Sequence, residues 1–287
     1  MNSESQNEPL SKSQWWGFLS DAAQKEAEKF RILLPDWNEL YFALNEHAQA
    51  ALLQLSMRAN NLNPQDLLIM SGFYRVLTSY QGVYLLVERG MDVESKVLLR
   101  SMTETTFVVS AASKDKTFVL RFLRGDESSR LRLLQNLVEM PIASTFLTPE
   151  KFAKMQTEVQ RLKKLQAQGQ NWNPAPKPSK IAKAAELEAL YNQYYSYLCL
   201  YAHPTATGMG HYLSLDETGK PNGFRVGRHD EDAEANLRTA VVLMLQVLSD
   251  VSRFFELNSK PRLSQFAARM ESIISRSKTQ KWSTESE

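Results

Sequence analysis

Apolar positions recur at three- and four-residue spacing along nearly the whole chain while alternating runs are scarce, so the pattern predicts an all-α protein. Ser13 to Leu34 is amphipathic, and Pro35-Asp36 opens a second helix to about Arg58. Asn63-Pro64 joins an N-cap to a first-turn proline and begins a helix to about Arg89, which Gly90 stops. Asp92 caps the next helix; the short connection makes an antiparallel pair, with Tyr80, Tyr84 and Val87 facing the second member. Two helical pieces interrupted at Gly125-Asp126 fill Asp115 to Met140, and Thr148-Pro149-Glu150 opens another helix to about Gln168. The proline-rich stretch 169–180 reads as a linker or strap anchored by Trp172. A helix from about Lys180 ends at His203, because Pro204 biases that residue away from helical geometry. Tyr212 to Asp216 and Phe224 to Gly227 flank a turn rich in glycine and proline and read as the one hairpin. Acids from Asp230 to Asp232 lead a long helix to about Phe255, and Lys260-Pro261 starts a last one to about Ser275.

The expected organisation is therefore a multi-helix bundle with one short β-hairpin after the His203 helix. A disordered N-terminus covers 1–12 and a helical extension 13–60. The core bundle covers 61–258, with the strap at 169–180 and the hairpin at 211–227, and a C-terminal helix with a disordered tail covers 259–287. No internal repeat or sustained heptad run appears.

Composition narrows the function classes. With 287 residues and 43% apolar content the chain can bury a sizeable core. Its formal charge of +2 is too balanced to imply nucleic-acid or membrane attraction overall. A single cysteine, Cys199, excludes an intrachain disulfide framework and a multi-thiolate zinc site, and suits a reducing compartment. Met1 to Ser13 lacks an apolar signal region, and the apolar run Thr239 to Leu248 is too short to span a membrane; a cytoplasmic location is expected. The four histidines, His47, His203, His211 and His229, show no metal-ligand spacing, and no phosphate loop, nucleophile elbow or dinucleotide fingerprint occurs, so neither metal nor cofactor is expected.

The candidate chemistry is a polar triad in apolar surroundings. Arg100 and Glu104 are four apart on one helix face, and His203 closes an aromatic run beginning at Tyr191. Burial of unpaired charge costs several kcal/mol, so these groups should meet. As a clamp they would pair with one another. As a site, Arg100 would fork onto a small anionic ligand, helped by Tyr197, Tyr201 and the hydroxyls of Thr205 and Thr207 in the glycine-containing loop after His203. Cys199 precedes His203 by four, but a nucleophile on a continuous helix rarely has an oxyanion hole. Basic groups at Arg121, Arg124, Arg130 and Arg132, and at Arg161, Lys163 and Lys164, read first as solvated helix faces, with RNA as a conceivable partner.

Leu99-Arg100-Ser101-x-x-Glu104, the Trp and Pro bearing strap, and Tyr194-Tyr195-x-x-Leu198-Cys199-x-Tyr201-x-His203-Pro204 occur in order. The combination resembles a widespread bacterial family of uncharacterised helical proteins, over about residues 65–255. A fainter resemblance is to HEPN-type helical bundles, which implies a metal-independent ribonuclease of toxin or phage-defence type. His203 would then be the general acid/base, Arg100 would stabilise the phosphorane and Glu104 would orient one of them. The chain departs from that pattern, since no Arg precedes His203 at the family's spacing. Two classes of function result: a ligand-binding, interaction or regulatory module, with a protein or a second copy as partner, and an RNA-cleaving enzyme.

Overall fold

The computed structural model describes residues 17–57, 62–140, 147–168 and 176–284, the side chains of 277–284 excepted. The expected disordered segment 1–12 and Trp172 of the strap lie outside the described residues. After a 3₁₀ turn at Gly17–Leu19 come α1 (Asp21–Leu33), α2 (Pro35–Ser56), α3 (Pro64–Val87) and α4 (Asp92–Lys114). Then follow α5 (Lys116–Glu139), α6 (Pro149–Ala167) and α7 (Pro178–Ala185). The eighth, α8, runs through Glu188–Leu190, a π-helical turn at Tyr191–Tyr195, and Ser196–Ala202. A short α9 (Ala206–Gly210), the strands β1 (Leu213–Leu215) and β2 (Pro221–Phe224), α10 (Ala233–Phe254) and α11 (Lys260–Thr284) complete the chain. The fold is all-α, with one antiparallel hairpin among the described residues.

Local signals explain most starts. Asn63 accepts from the backbone N–H groups of Gln65 and Asp66 while Asp66 returns a bond to the Asn63 N–H, a complete capping box before Pro64. Thr148 caps α6 ahead of Pro149. At the other end of α3, Gly90 adopts φ +71° and turns the chain back. The close approaches of Gly72 to Val109 and of Gly82 to Leu98 run in opposite senses along the two helices, which makes α3 and α4 antiparallel.

Elsewhere tertiary packing overrides the local reading. The α5 helix continues through Gly125, because a glycine costs only about 1 kcal/mol inside a helix and this one is buried against neighbours. Asp92 is the first helical residue, not the cap; its carboxylate turns instead to Lys96 and Asn236. Tyr80 stacks on Tyr41 of α2 at 3.8 Å and Tyr84 donates to Asn38, so both face α2 and not the Arg100 helix. The expected single helix from Lys180 to His203 starts earlier, at Pro178, and is broken after Ala185, where Glu186 takes φ 58°. There Lys114 of α4 donates to the Ala185 carbonyl at 2.6 Å, occupying a helix-end acceptor. The glycine-containing stretch expected as a loop after His203 is helical over Ala206–Gly210, where Thr205 caps it by accepting from the Gly208 N–H. Pro221 to Gly223 pair with β1 where a turn was expected, and α11 continues past Ser275 to Thr284.

The core is shared by α2, α3, α4 and α10, with Trp37, Leu44, Phe73, Phe107 and Leu243 among its buried members. Residues 17–57 of the expected extension are built into the main core through α2. A second small core, Leu131, Val159 and Leu162, joins α5 to α6 alone.

Candidate functional site

Arg100 and Glu104 project from one face of α4 and form an ion pair at 3.1 Å, with side chains 22% and 35% exposed. Facing them is α8. Tyr195 donates its hydroxyl to Glu104 Oε1 at 2.8 Å and accepts from Arg100 Nη2 at 3.0 Å, and Arg100 Nε points to Cys199 Sγ at 3.4 Å. The guanidinium also lies over the Tyr195 ring, 5.3 Å from its centre. Burial followed by the Glu104 carboxylate pushes the Tyr195 hydroxyl well above the ordinary phenol range, so it stays a proton donor at neutral pH. Burial opposes the Arg100 charge, yet Cys199, Glu104 and Tyr195 together hold its pKa above the usual value.

His203 does not complete this cluster. It is exposed, just beyond the end of α8, and none of the Arg100 or Glu104 bonds goes to it. The reason is geometric: Tyr195 and Cys199, one turn apart, present the α8 face to α4, whereas the chain leaves helical geometry at His203 with ψ 153°. Tyr197 and Tyr201 lie elsewhere too. Their hydroxyls are 2.9 Å apart, and Tyr201 reaches His211 Nε2 at 3.0 Å. Burial and the Tyr201 bond raise the Tyr197 pKa to about 12. Thr205 is spent on its cap and on the Leu200 carbonyl, and Thr207 is exposed.

The tyrosines belong to a second cluster, centred on Lys96. This lysine is fully buried, 2.5 Å from Asp92 and 2.6 Å from Asp232, with Tyr201's ring 4.3 Å away. Asn236 of α10 donates to Asp92 and Ser95, closing the network. Burial alone would drive off the proton, but the two carboxylates outweigh it and raise the Lys96 pKa. The four-residue spacing of Asp92 and Lys96 was visible in the sequence; nothing there brought Asp232 to them.

Glu104 also borders a cleft of about 530 Å³ between α3, α4, α5 and α7. Its walls are largely apolar, including Leu68, Phe107, Val108, Phe122 and Ile181, and Arg75 stands at its edge. The Arg75 guanidinium donates to Ser101 Oγ at 3.2 Å and meets no carboxylate among the described residues. Since Glu104 is already neutralised by Arg100, the unbalanced charge at this cleft is positive. No three His, Cys, Asp or Glu side chains among the described residues converge as metal ligands. No helix among them is long and apolar enough to cross a membrane.

Fold and site together define an all-α bundle with a polar-edged apolar cleft and two interhelical charge clusters. The chain belongs to a family described as of unknown function (DUF5677), whose pattern matches residues 66–221. That match runs from α3 into β2 and contains Arg100, Glu104, Tyr195, Cys199 and Lys96. No curated protein and no solved structure matches the chain.

Proposed function

We propose that this protein is a ligand-binding module of the cytoplasm whose cleft takes a small molecule with an apolar body and an anionic group. The observation that carries it is the pairing of a 530 Å³ apolar cleft with Arg75, a cation lacking a carboxylate partner among the described residues. The volume falls in the usual range for small-molecule pockets, and a few convergent polar groups on apolar walls are what orient such ligands. Arg75 takes the anion, in place of Arg100, whose bonds go to Glu104, Tyr195 and Cys199. The Arg100 cluster then holds α4 against α8 and keeps the cleft wall in shape. The ribonuclease reading requires Arg100 and His203 at one phosphate, and their placement does not favour it.

Anilinonaphthalene sulfonate, an apolar fluorophore with one anionic group, tests the proposal, with decanoate as competitor. Binding should be saturable and reversed by decanoate. Ser71→Trp, at an exposed position on the cleft lining, should block it, and Arg75→Gln should weaken it by roughly tenfold, the loss of about one charged hydrogen bond. Fluorescence unaffected by both substitutions would remove the cleft from consideration.

A further inference from the structure

We propose that the helical arm formed by α5 and α6 is a docking surface for a nucleic-acid phosphate backbone. The inference is independent of the cleft ligand. The arm is anchored to the bundle through the first half of α5, where Phe118 and Val119 join the main core. Beyond that it is held by its own small core of Leu131, Val159 and Leu162, and among the described elements α5 is the main packing partner of α6. Such an arm offers surface on nearly all sides while contributing little to the bundle.

Its charge is distinctive. The two helices carry ten Lys and Arg against five Asp and Glu, a formal +5, so the rest of a chain whose total is +2 carries −3. Three of the acids are already occupied: Glu158 by Arg130 and Arg161, Glu127 by Arg161, and Glu150 by Lys154. Among the described residues Arg124, Arg132, Lys151, Lys163 and Lys164 have no carboxylate partner, and all but the half-buried Arg124 are exposed.

Spacing orders six of the ten cations of the arm. On α5, Arg121, Arg124, Ser128, Arg132 and Gln135 follow one another by three or four residues, which places them in a single stripe. On α6, Lys154, Thr157, Arg161, Lys164 and Gln168 do the same on the side away from Val159 and Leu162. From Arg121 to Arg132 such a stripe extends about 16 Å at 1.5 Å per residue. Cations interleaved with hydroxyl and amide side chains are the groups that bind phosphate and sugar oxygens without reading bases. A polyanion is therefore the partner the arm fits, and the negative remainder of the molecule would turn it toward the arm.

The test is fluorescence anisotropy of the full chain with a labelled RNA duplex of about 20 base pairs, its single strand and the matching DNA. Binding to any of these at low salt is expected. With about four phosphates neutralised, raising salt from 50 to 200 mM should weaken it by roughly 50- to 150-fold. Replacing Arg124, Arg132, Lys154 and Lys164, all within the two stripes, together by Gln should weaken it at least tenfold with an unchanged melting temperature. Replacing exposed Lys25, Lys180, Lys183 and Lys220 by Gln removes the same charge elsewhere and should change affinity by less than threefold. Whichever strand binds most tightly names RNA or DNA. Absence of binding at 50 mM salt, equal loss in both variants, or preference for phosphatidylserine vesicles over every nucleic acid would overturn the proposal.

Discussion

The Lys96 ammonium lies 2.6 Å from the carboxylate of Asp232, a residue 136 positions further along the chain. That bond, with Asn236 on Asp92, fastens the start of α10 to the start of α4. Lys96→Met should cost about 3–5 kcal/mol in urea denaturation, because it strands the buried Asp92 without its cation. Asp232→Asn, whose side chain is 39% exposed, should cost only about 1 kcal/mol. Equal losses in the two variants would contradict this assignment of buried and solvent-relieved charge.

The same lysine sets a pH dependence. Its folded pKa is raised above the ordinary 10.5, so its contribution is complete below that value and is lost as pH climbs through the higher folded one. The stability gap between wild type and Lys96→Met should stay level from neutral pH to about 10 and narrow only above it. A gap that shrinks on acidification toward pH 6 would give the opposite linkage.

Arg100→Ala should be milder than burial of the pair would dictate. With 22% and 35% side-chain exposure, water stabilises the Glu104 left behind, and the cost should be about 1–2 kcal/mol. Tyr195→Phe should cost about 1 kcal/mol, since the ion pair survives loss of the bridging hydroxyl. Thermal denaturation of the two single variants and the double variant measures their coupling, expected at about 0.5 kcal/mol or more for groups sharing one network.

Gly90→Ala should destabilise by about 2 kcal/mol or more. At φ +71° a side chain is strained, and the new Cβ would overlap Arg228 Cγ and sit 2.8 Å from the His229 backbone N. The His229 N–H bonds the Gly90 carbonyl, so the clash would also pry the segment before α10 from the α3–α4 turn. Calorimetry giving a melting temperature within one degree of wild type would refute it.

What the sequence disclosed depends on how local the cause is. Asn63 with Pro64, Thr148 with Pro149, and Gly90 announce helix ends because each acts on backbone groups within three residues. The Arg100–Glu104 pair was legible for the same reason, as one helical turn. Gly125 and Glu186 were misread because distant contacts decide them, burial in one case and the Lys114 ammonium at the preceding carbonyl in the other. His203 was drawn into the triad by apolar neighbours in sequence. Once α8 is oriented, Tyr195 and Cys199 occupy the place facing Arg100. The Arg75 cleft had no local signature, since four helices build its walls.

The π turn at Tyr191–Tyr195 acts as a phase shifter for α8. A widened turn accommodates one residue beyond the ordinary helical repeat, so the segments before and after it are offset in rotation by about 100° relative to an uninterrupted helix. Tyr191 and Tyr195 consequently stack, 5.0 Å between ring centres, and both reach Phe107 of α4. Deleting Asn192 would restore the regular repeat and swing whatever follows out of step with whatever precedes. Either the aromatic contacts of Tyr191 or the Arg100 bonds of Tyr195 and Cys199 could then be kept, but not both.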